Sequence, residues 1–143
     1  SPTSLLLFQA IMFAAVATID MPHLVAAGFS RRCDARRHFF HKTRLLYDAD
    51  AETNPLTLIQ TLLIMTHAPD TPDHPKDSHH WIAIAISLAQ SIGLHSNSTH
   101  PPSPLRRRIW WSLYMRDRLM ALDMRRPPCI RDDESDIPML APD

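Results

Sequence analysis

The side chains with the most obvious chemical potential are nine histidines and two cysteines. His79 and His80 are adjacent, so on a helix their side chains diverge by about 100°. No two histidines have the i, i+4 spacing of helical zinc ligands with an acid nearby. We therefore expect no metal in this chain, and we interpret His74, His79, His95 and His100 as loop or helix-cap residues.

The sequence also contains no recognisable set of residues for covalent catalysis. The only glycines are Gly28 and Gly93, so the chain lacks a Gly-flanked serine elbow and a Gly-rich loop that cradles phosphate. No motif in the sequence indicates which residues would act together as nucleophile, base and orienting group. We predict that the protein is not an enzyme and has no catalytic or cofactor-binding residue.

Arg106, Arg107 and Arg108 form the densest basic run and are candidates for contact with an anion or an acidic partner. They open a predicted helix, where positive charge opposes the helix macrodipole and would favour a compensating anion. Three successive arginines also point in different directions, which favours a solvated helix start. The pair Trp110 and Trp111 could likewise line a ligand site, but aromatic residues at helical positions more often pack in a core.

The helix that carries these residues is apolar almost all round, which is typical of a helix buried against several neighbours. Arg116 and Asp117 fall within its apolar rows. We expect both charges to lie inside the packed layers. Each then needs a partner from another segment, because an unpaired buried charge costs several kcal/mol.

Proline, glycine and cap residues divide the rest of the chain into further helical segments, and no stretch alternates with period two. The predicted helices run from about Ser4 to Thr18, Arg31 (capped by Ser30) to Tyr47, Pro55 to His67, His79 to Ile92 and Pro104 to Met124, with a short helical turn from His23 to Phe29. The first is too uniformly apolar to face water on any side and should be central in the packing. We predict an all-α fold, an antiparallel array of roughly five main helices.

Length and composition narrow the class of protein. The 143 residues, of which 45% are hydrophobic, suit one globular domain. Fifteen basic and fifteen acidic residues cancel, which argues against a free-standing DNA-binding module. Cys33 and Cys129 are too far apart for a zinc-site spacing, and reduced thiols of an intracellular protein fit best. Residues 5–19 are the only candidate membrane segment, but they are too short and contain Gln9, so a buried helix is the preferred interpretation.

The segment after Met124 changes character. Pro127 and Pro128 end the helix, and acidic residues follow from Asp132 to Asp136. This segment is either a solvated loop or a tail whose carboxylates fold back on the arginines of the helix or on Arg125 and Arg126. The chain begins without Met and stops without an end signal, so we expect it to be a piece of a longer protein.

Two stretches carry a resemblance to a known family: HWIAIAISLAQSIGLH, and RRRIWWSLYMRDRLMALDMRRPPCIRDDESDIPML. Together with DMPHLVAAGFSRR and NPLTLIQTLLIM, they resemble the fungal-specific transcription factor domain, the middle homology region of fungal zinc-cluster regulators, in its cutinase-regulator-like branch. Trp110 and Trp111 match its paired tryptophans, Asp117 and Arg118 its Asp-Arg pair, and Arg126 and Pro127 its Arg-Pro. The family often has a glycine before Arg-Pro, which this chain lacks.

The resemblance implies an all-helical regulatory region, part of a larger domain, in a nuclear regulator of transcription. It implies no catalytic role for the matching residues. The six-cysteine zinc cluster that reads DNA in this family is absent here, so zinc and DNA belong to a missing N-terminal part. A small-molecule inducer, co-regulator proteins or a second copy are further candidate partners, and no membrane is expected. The alternative is a helical module that senses a small molecule or binds a protein without any link to DNA, because helices rich in Met and aromatic residues can also line a pocket.

Overall fold

The computed structural model describes residues 3–70, 72, 75–97 and 103–141. Its helices are α1 (Leu5–Ala15), α2 (Met21–Ala26), α3 (Arg32–Asp48), α4 (Pro55–Met65), α5 (Ser78–Ser91), α6 (Pro104–Met124) and a short 3-10 helix (Asp132–Glu134). These described residues contain no strand, so the predicted all-α class is confirmed. Of the histidines assigned above to loops, His74 and His100 lie outside the described residues. Contacts divide the chain into two compact units, residues 1–68 and 69–143.

Side-chain caps begin two of the main helices as the sequence predicts. The Asn54 carboxamide oxygen accepts hydrogen bonds from the backbone N–H groups of Leu56 (3.0 Å) and Thr57 (3.3 Å). Ser103 Oγ accepts one from the N–H of Arg106 (3.3 Å). Both caps satisfy donors that have no partner inside the helix. The long helix therefore begins and ends at the predicted residues, Pro104 and Met124.

The starts of α2 and α3 differ from prediction. The short helix α2 begins at Met21, before the predicted start at His23, and Pro22 lies in its first turn, where its missing N–H is harmless. Ser30 does not cap α3, because the first helical residue is Arg32 and Arg31 takes the cap position. The Arg31 guanidinium instead donates to Asp34 in the first turn (3.0 Å), where a negative charge complements the helix dipole.

In the unit of residues 1–68, α1 packs against both α3 and α4, and α2 packs against α3. The rings of Phe13 and Phe40 lie 5.4 Å apart, and the Arg36 guanidinium lies 5.0 Å from the Phe13 centroid. Arg36 also donates to the carbonyl oxygen of His67 (3.0 Å), just after α4. These contacts agree with a central position for α1 in this unit.

The prediction that no side of α1 faces water is wrong. Ala10 and Phe13 are buried, but Leu5, Phe8 and Ile11 are 59%, 48% and 47% exposed. Two packed neighbours cover only part of a helix, so one apolar side stays open. The helix is also shorter than predicted, ending at Ala15 instead of Thr18.

In the unit of residues 69–143, α5 packs against α6. The buried side chains are Trp81, Ile82, Ala85, Ile86 and Ala89 of α5 and Ile109, Trp110, Leu113 and Met120 of α6. The prediction that α6 is buried against several neighbours is wrong, since Met115, Leu119 and Leu122 are 57%, 53% and 79% exposed. Across the parts of the chain given above, no helix combines the length and hydropathy that a membrane span requires.

Candidate functional site

The segment after α6 folds back along that helix. We call residues 129–140 the strap. Its start lies at Asp117, its acidic part at Arg118, and its end near Arg107. The strap therefore runs in the direction opposite to α6. The hypothesis that the acidic tail folds back on the helix arginines is confirmed for Asp132.

A left-handed residue makes this reversal possible. Arg125 ends α6 with φ 52°, a conformation usually taken by glycine. Arg126 follows and its guanidinium lies 3.4 Å from a carboxylate oxygen of Asp77, the residue that caps α5. Pro127 and Pro128 then prevent further helix. The helix end is sharp even though no glycine is present.

Asp117 fixes the start of the strap. Only 2% of this residue is exposed. Its two carboxylate oxygens accept hydrogen bonds from the backbone N–H groups of Cys129 and Ile130, each 2.9 Å long. Ile130 is fully buried beside it. The prediction that Asp117 is buried and has a partner from another segment is correct. The partner is the backbone after α6, because the turn at Arg125 brings these amides back to the carboxylate.

Arg118 and Tyr114 hold the acidic part of the strap. The Tyr114 hydroxyl donates to Asp132 Oδ1 (2.8 Å), and the Arg118 guanidinium donates to the same oxygen. Arg118 also lies over the Tyr114 ring, 4.6 Å from its centroid. Asp132 itself is largely exposed, so this ion pair contributes less than a buried one.

Arg107 and Trp111 hold the end of the strap through its backbone. The Arg107 guanidinium donates to the carbonyl oxygens of Met139 (2.6 Å) and Pro138 (3.3 Å). The Trp111 indole N–H donates to the Pro138 carbonyl (2.9 Å). Trp111 also makes an edge contact with Tyr114, with centroids 5.2 Å apart. Of the paired tryptophans, Trp111 thus contacts the strap.

The loop after α5 adds two further contacts to the strap. The N–H of Asp136 donates to the carbonyl of His95 (3.3 Å), and the N–H of Asn97 donates to the Asp136 carboxylate (2.7 Å). Between these groups and the Arg107 contacts, Ile137 is buried at 6% exposure. Ile137 is therefore the main apolar anchor of the strap beyond Ile130.

Among the other residues singled out from the sequence, Trp110 and Arg106 contact other parts of this unit, and Arg108 lies at the surface. Trp110 is fully buried, with its ring 6.1 Å from that of His95. The Arg106 guanidinium donates to the carbonyl of Ile92 at the end of α5 (2.9 Å). Arg108 is exposed. Of the three arginines, Arg106 thus contacts the end of α5, Arg107 contacts the strap, and Arg108 lies at the surface.

Cys129 is the thiol closest to this site. Its sulfur lies 3.7 Å from Nε2 of His79. Burial, together with the nearby charge of Asp117, raises the pKa of Cys129 to about 11. The thiol is therefore protonated and weakly nucleophilic at neutral pH. Among the described residues, no three His, Cys, Asp or Glu side chains converge to hold a metal ion.

A cleft of about 240 Å³ lies beside α6. Polar groups line one part and apolar side chains the other: Asp70, Ser78, Arg116, Asp123, Leu119, Met120 and Met124. Asp70 accepts hydrogen bonds from the N–H (2.9 Å) and hydroxyl (2.8 Å) of Ser78. Partial burial lowers the pKa of Arg116, although the negative charges of Asp123 and Asp70 act in the opposite direction and raise it. Arg116 is half-buried at this cleft, not enclosed in the packed layers as predicted.

Sequence reasoning singled out Asp117, Arg118 and Arg107, but it missed the role of Tyr114 and the docking of Ile137. One signal was available: a carboxylate inside an apolar helix, followed by a proline pair and an isolated isoleucine, indicates a chain that returns to the helix. The arrangement positions and binds a peptide segment, and it contains no group set up for bond chemistry.

The fold and the docked strap define an all-helical protein in which a segment of the same chain is held against the longest helix. The family described as "Fungal specific transcription factor domain" matches residues 1–143, and the chain belongs to this family. It is a family of transcription factors and not of enzymes. No solved structure matches the chain.

Several curated fungal regulators are similar to this chain. Cutinase transcription factor 1 beta of Fusarium vanettenii is 54% identical, with 96% of this chain and 16% of the relative covered. Transcription factor cpaR of Aspergillus oryzae is 37% identical, with 97% and 24% covered. The acetamidase regulatory protein of Aspergillus fumigatus is 34% identical, with 73% and 15% covered. The chain thus spans a quarter or less of the length of these relatives.

Proposed function

We propose that this chain is the regulatory region of a fungal zinc-cluster transcription factor, which controls transcription by RNA polymerase II from the nucleus. The family match over residues 1–143 carries the proposal, and the relatives named as transcription factors support it. In this role the helices and the strap form a packed domain whose state affects the activity of the whole regulator. Co-regulator proteins, a second copy or a small-molecule inducer are partners that this role admits.

DNA and zinc belong, in this proposal, to sequence outside the 143 residues. A zinc cluster requires several converging cysteines. The chain has only Cys33 and Cys129, and they lie in different compact units. The donor set therefore does not fit such a cluster, and no step of the proposed role uses a metal held here.

The test uses the full-length regulator that contains this chain. Asp117→Ala should disturb the packing of the strap, and exposed Asp133→Asn is the matched control. Promoter occupancy and reporter transcript are measured together, both normalised to the amount of regulator. We expect occupancy to stay near wild type while the transcript per occupied promoter changes several-fold. Loss of both in parallel, or no change in either, contradicts the proposal.

The second candidate is a small-molecule-sensing domain without a link to DNA, and the cleft beside α6 favours it. Its volume of about 240 Å³ is slightly below the usual range for small-ligand sites, but it combines a cationic Arg116 with apolar Met120 and Met124. A thermal-shift screen of metabolites tests this function. A ligand of the cleft raises the unfolding midpoint of the wild type and has a weaker effect on Arg116→Gln. A screen in which no compound raises the midpoint counts against it.

A further inference from the structure

Four residues of α6 form one continuous row under the strap. Arg107, Trp111, Tyr114 and Arg118 are spaced by four, three and four positions, which places them on one side of a helix. Each contacts the strap through its polar end. The row offers two positive charges and two aromatic rings. This combination suits an acidic peptide that also carries aliphatic side chains.

The occupant seen here has that composition. The strap carries four carboxylates, at Asp132, Asp133, Glu134 and Asp136, and buries Ile137. Its charge is opposite to that of the row. The bonds from Arg107 and Trp111 go to backbone carbonyls, which every peptide has. An extended acidic segment from another protein could therefore make the same bonds.

We call Cys129 and Ile130 the root of the strap and residues 132–140 the outer strap. The outer strap buries few side chains: Asp132, Met139 and Leu140 are exposed, and Ile137 is the main buried side chain beyond the root. Segments with few buried apolar contacts open at a lower free energy than the core. The root is different, because Asp117 binds the N–H of Ile130 in a buried position. The outer strap can therefore leave while the root stays in place.

We propose that the row of Arg107, Trp111, Tyr114 and Arg118 is a docking surface for an acidic, aliphatic peptide of a partner protein. The strap occupies this surface in the closed state and acts as a latch. A tethered segment competes at an effective concentration of about 1 mM. A partner peptide at micromolar concentration therefore binds weakly until the latch opens, since its apparent affinity falls with the fraction of open chain.

The test measures fluorescence anisotropy of a labelled synthetic peptide of residues 132–141 titrated with the chain. Two variants open the latch: Ile137→Asp removes the apolar anchor, and Asp132→Lys reverses the outer ion pair. The backbone amide signals of Cys129 and Ile130, read by NMR, report whether the root is intact. If Ile137→Asp loses these signals, Asp132→Lys carries the test, because Asp132 is exposed and its replacement leaves the core unchanged.

We expect an opened variant to bind the peptide at least about tenfold more tightly than the wild type. Adding Arg107→Gln should weaken that binding about tenfold, because a charged donor to two carbonyls is lost. Arg108→Gln, next on the helix and outside the row, is the control and should leave it unchanged. Rising salt should weaken binding. The proposal is overturned if the opened variants show no saturable binding, bind a scrambled peptide equally well, or keep full affinity with Arg107→Gln.

Discussion

Replacing Asp117 should clearly destabilise the unit of residues 69–143, because its carboxylate fixes the start of the strap. Asp117→Ala deletes both acceptors of the Cys129 and Ile130 amides. A buried N–H left without a partner costs about 1–3 kcal/mol. The Ile130 bond is buried and the Cys129 bond partly buried, and removing a buried carboxylate returns some desolvation energy. The net expected loss is about 3 kcal/mol in the free energy of unfolding.

Tryptophan fluorescence is a selective assay for this effect. All three tryptophans, Trp81, Trp110 and Trp111, lie in the unit of residues 69–143. Urea unfolding followed by their emission therefore reports that unit. Asp117→Asn keeps one acceptor and should lose about half as much stability as Asp117→Ala. A loss below about 1 kcal/mol for Ala, or equal losses for Asn and Ala, would refute the reasoning.

Three further predictions concern other positions. Arg125→Gly should leave stability unchanged or raise it by up to about 1 kcal/mol in the same urea assay, because glycine takes the left-handed conformation without strain; a clear loss contradicts this. Asn54→Ala should cost about 1 kcal/mol in unfolding followed by circular dichroism, whereas Asn54→Ser should be nearly neutral because it keeps a cap. The pKa of Cys129 is raised from 9.0 to about 11 in the folded state, so its contribution to stability is complete below pH 9 and is lost as pH rises through 11. Across this range the urea midpoint of Cys33→Ser, which keeps Cys129, should fall more than that of a variant lacking both thiols. Equal falls in the two midpoints would contradict the pKa shift.

Several arginines in the described part of the chain satisfy backbone carbonyls. The last carbonyls of a helix have no partner within it, and a guanidinium is well suited to supply one. Among the described residues, Arg32 to Val16, Arg36 to His67 and Arg106 to Ile92 are examples at or just after helix ends, whereas Arg107 donates to Met139 in the strap.

Predictions that rest on local chemistry were correct at two helix caps and at the ends of α6, although not at Ser30. Ser103 and Asn54 are side-chain caps, and α6 has the predicted limits. Errors arose where neighbours decide. The apolar residues Phe8 and Leu119 are exposed. The apolar pattern of a helix does not show how many other helices pack against it, so the exposed sides of α1 and α6 could not be predicted.

The sequence by itself determined that the chain is helical, where its longest helix begins and ends, and that a carboxylate at Asp117 must find a partner. Each of these follows from bonding within a few residues or from the cost of burying a charge. Only the tertiary structure decided which partner Asp117 takes and which side of α6 the strap covers. Those choices depend on the left-handed turn at Arg125 and on contacts between residues far apart in the sequence, such as Arg107 and Met139, which are 32 positions apart.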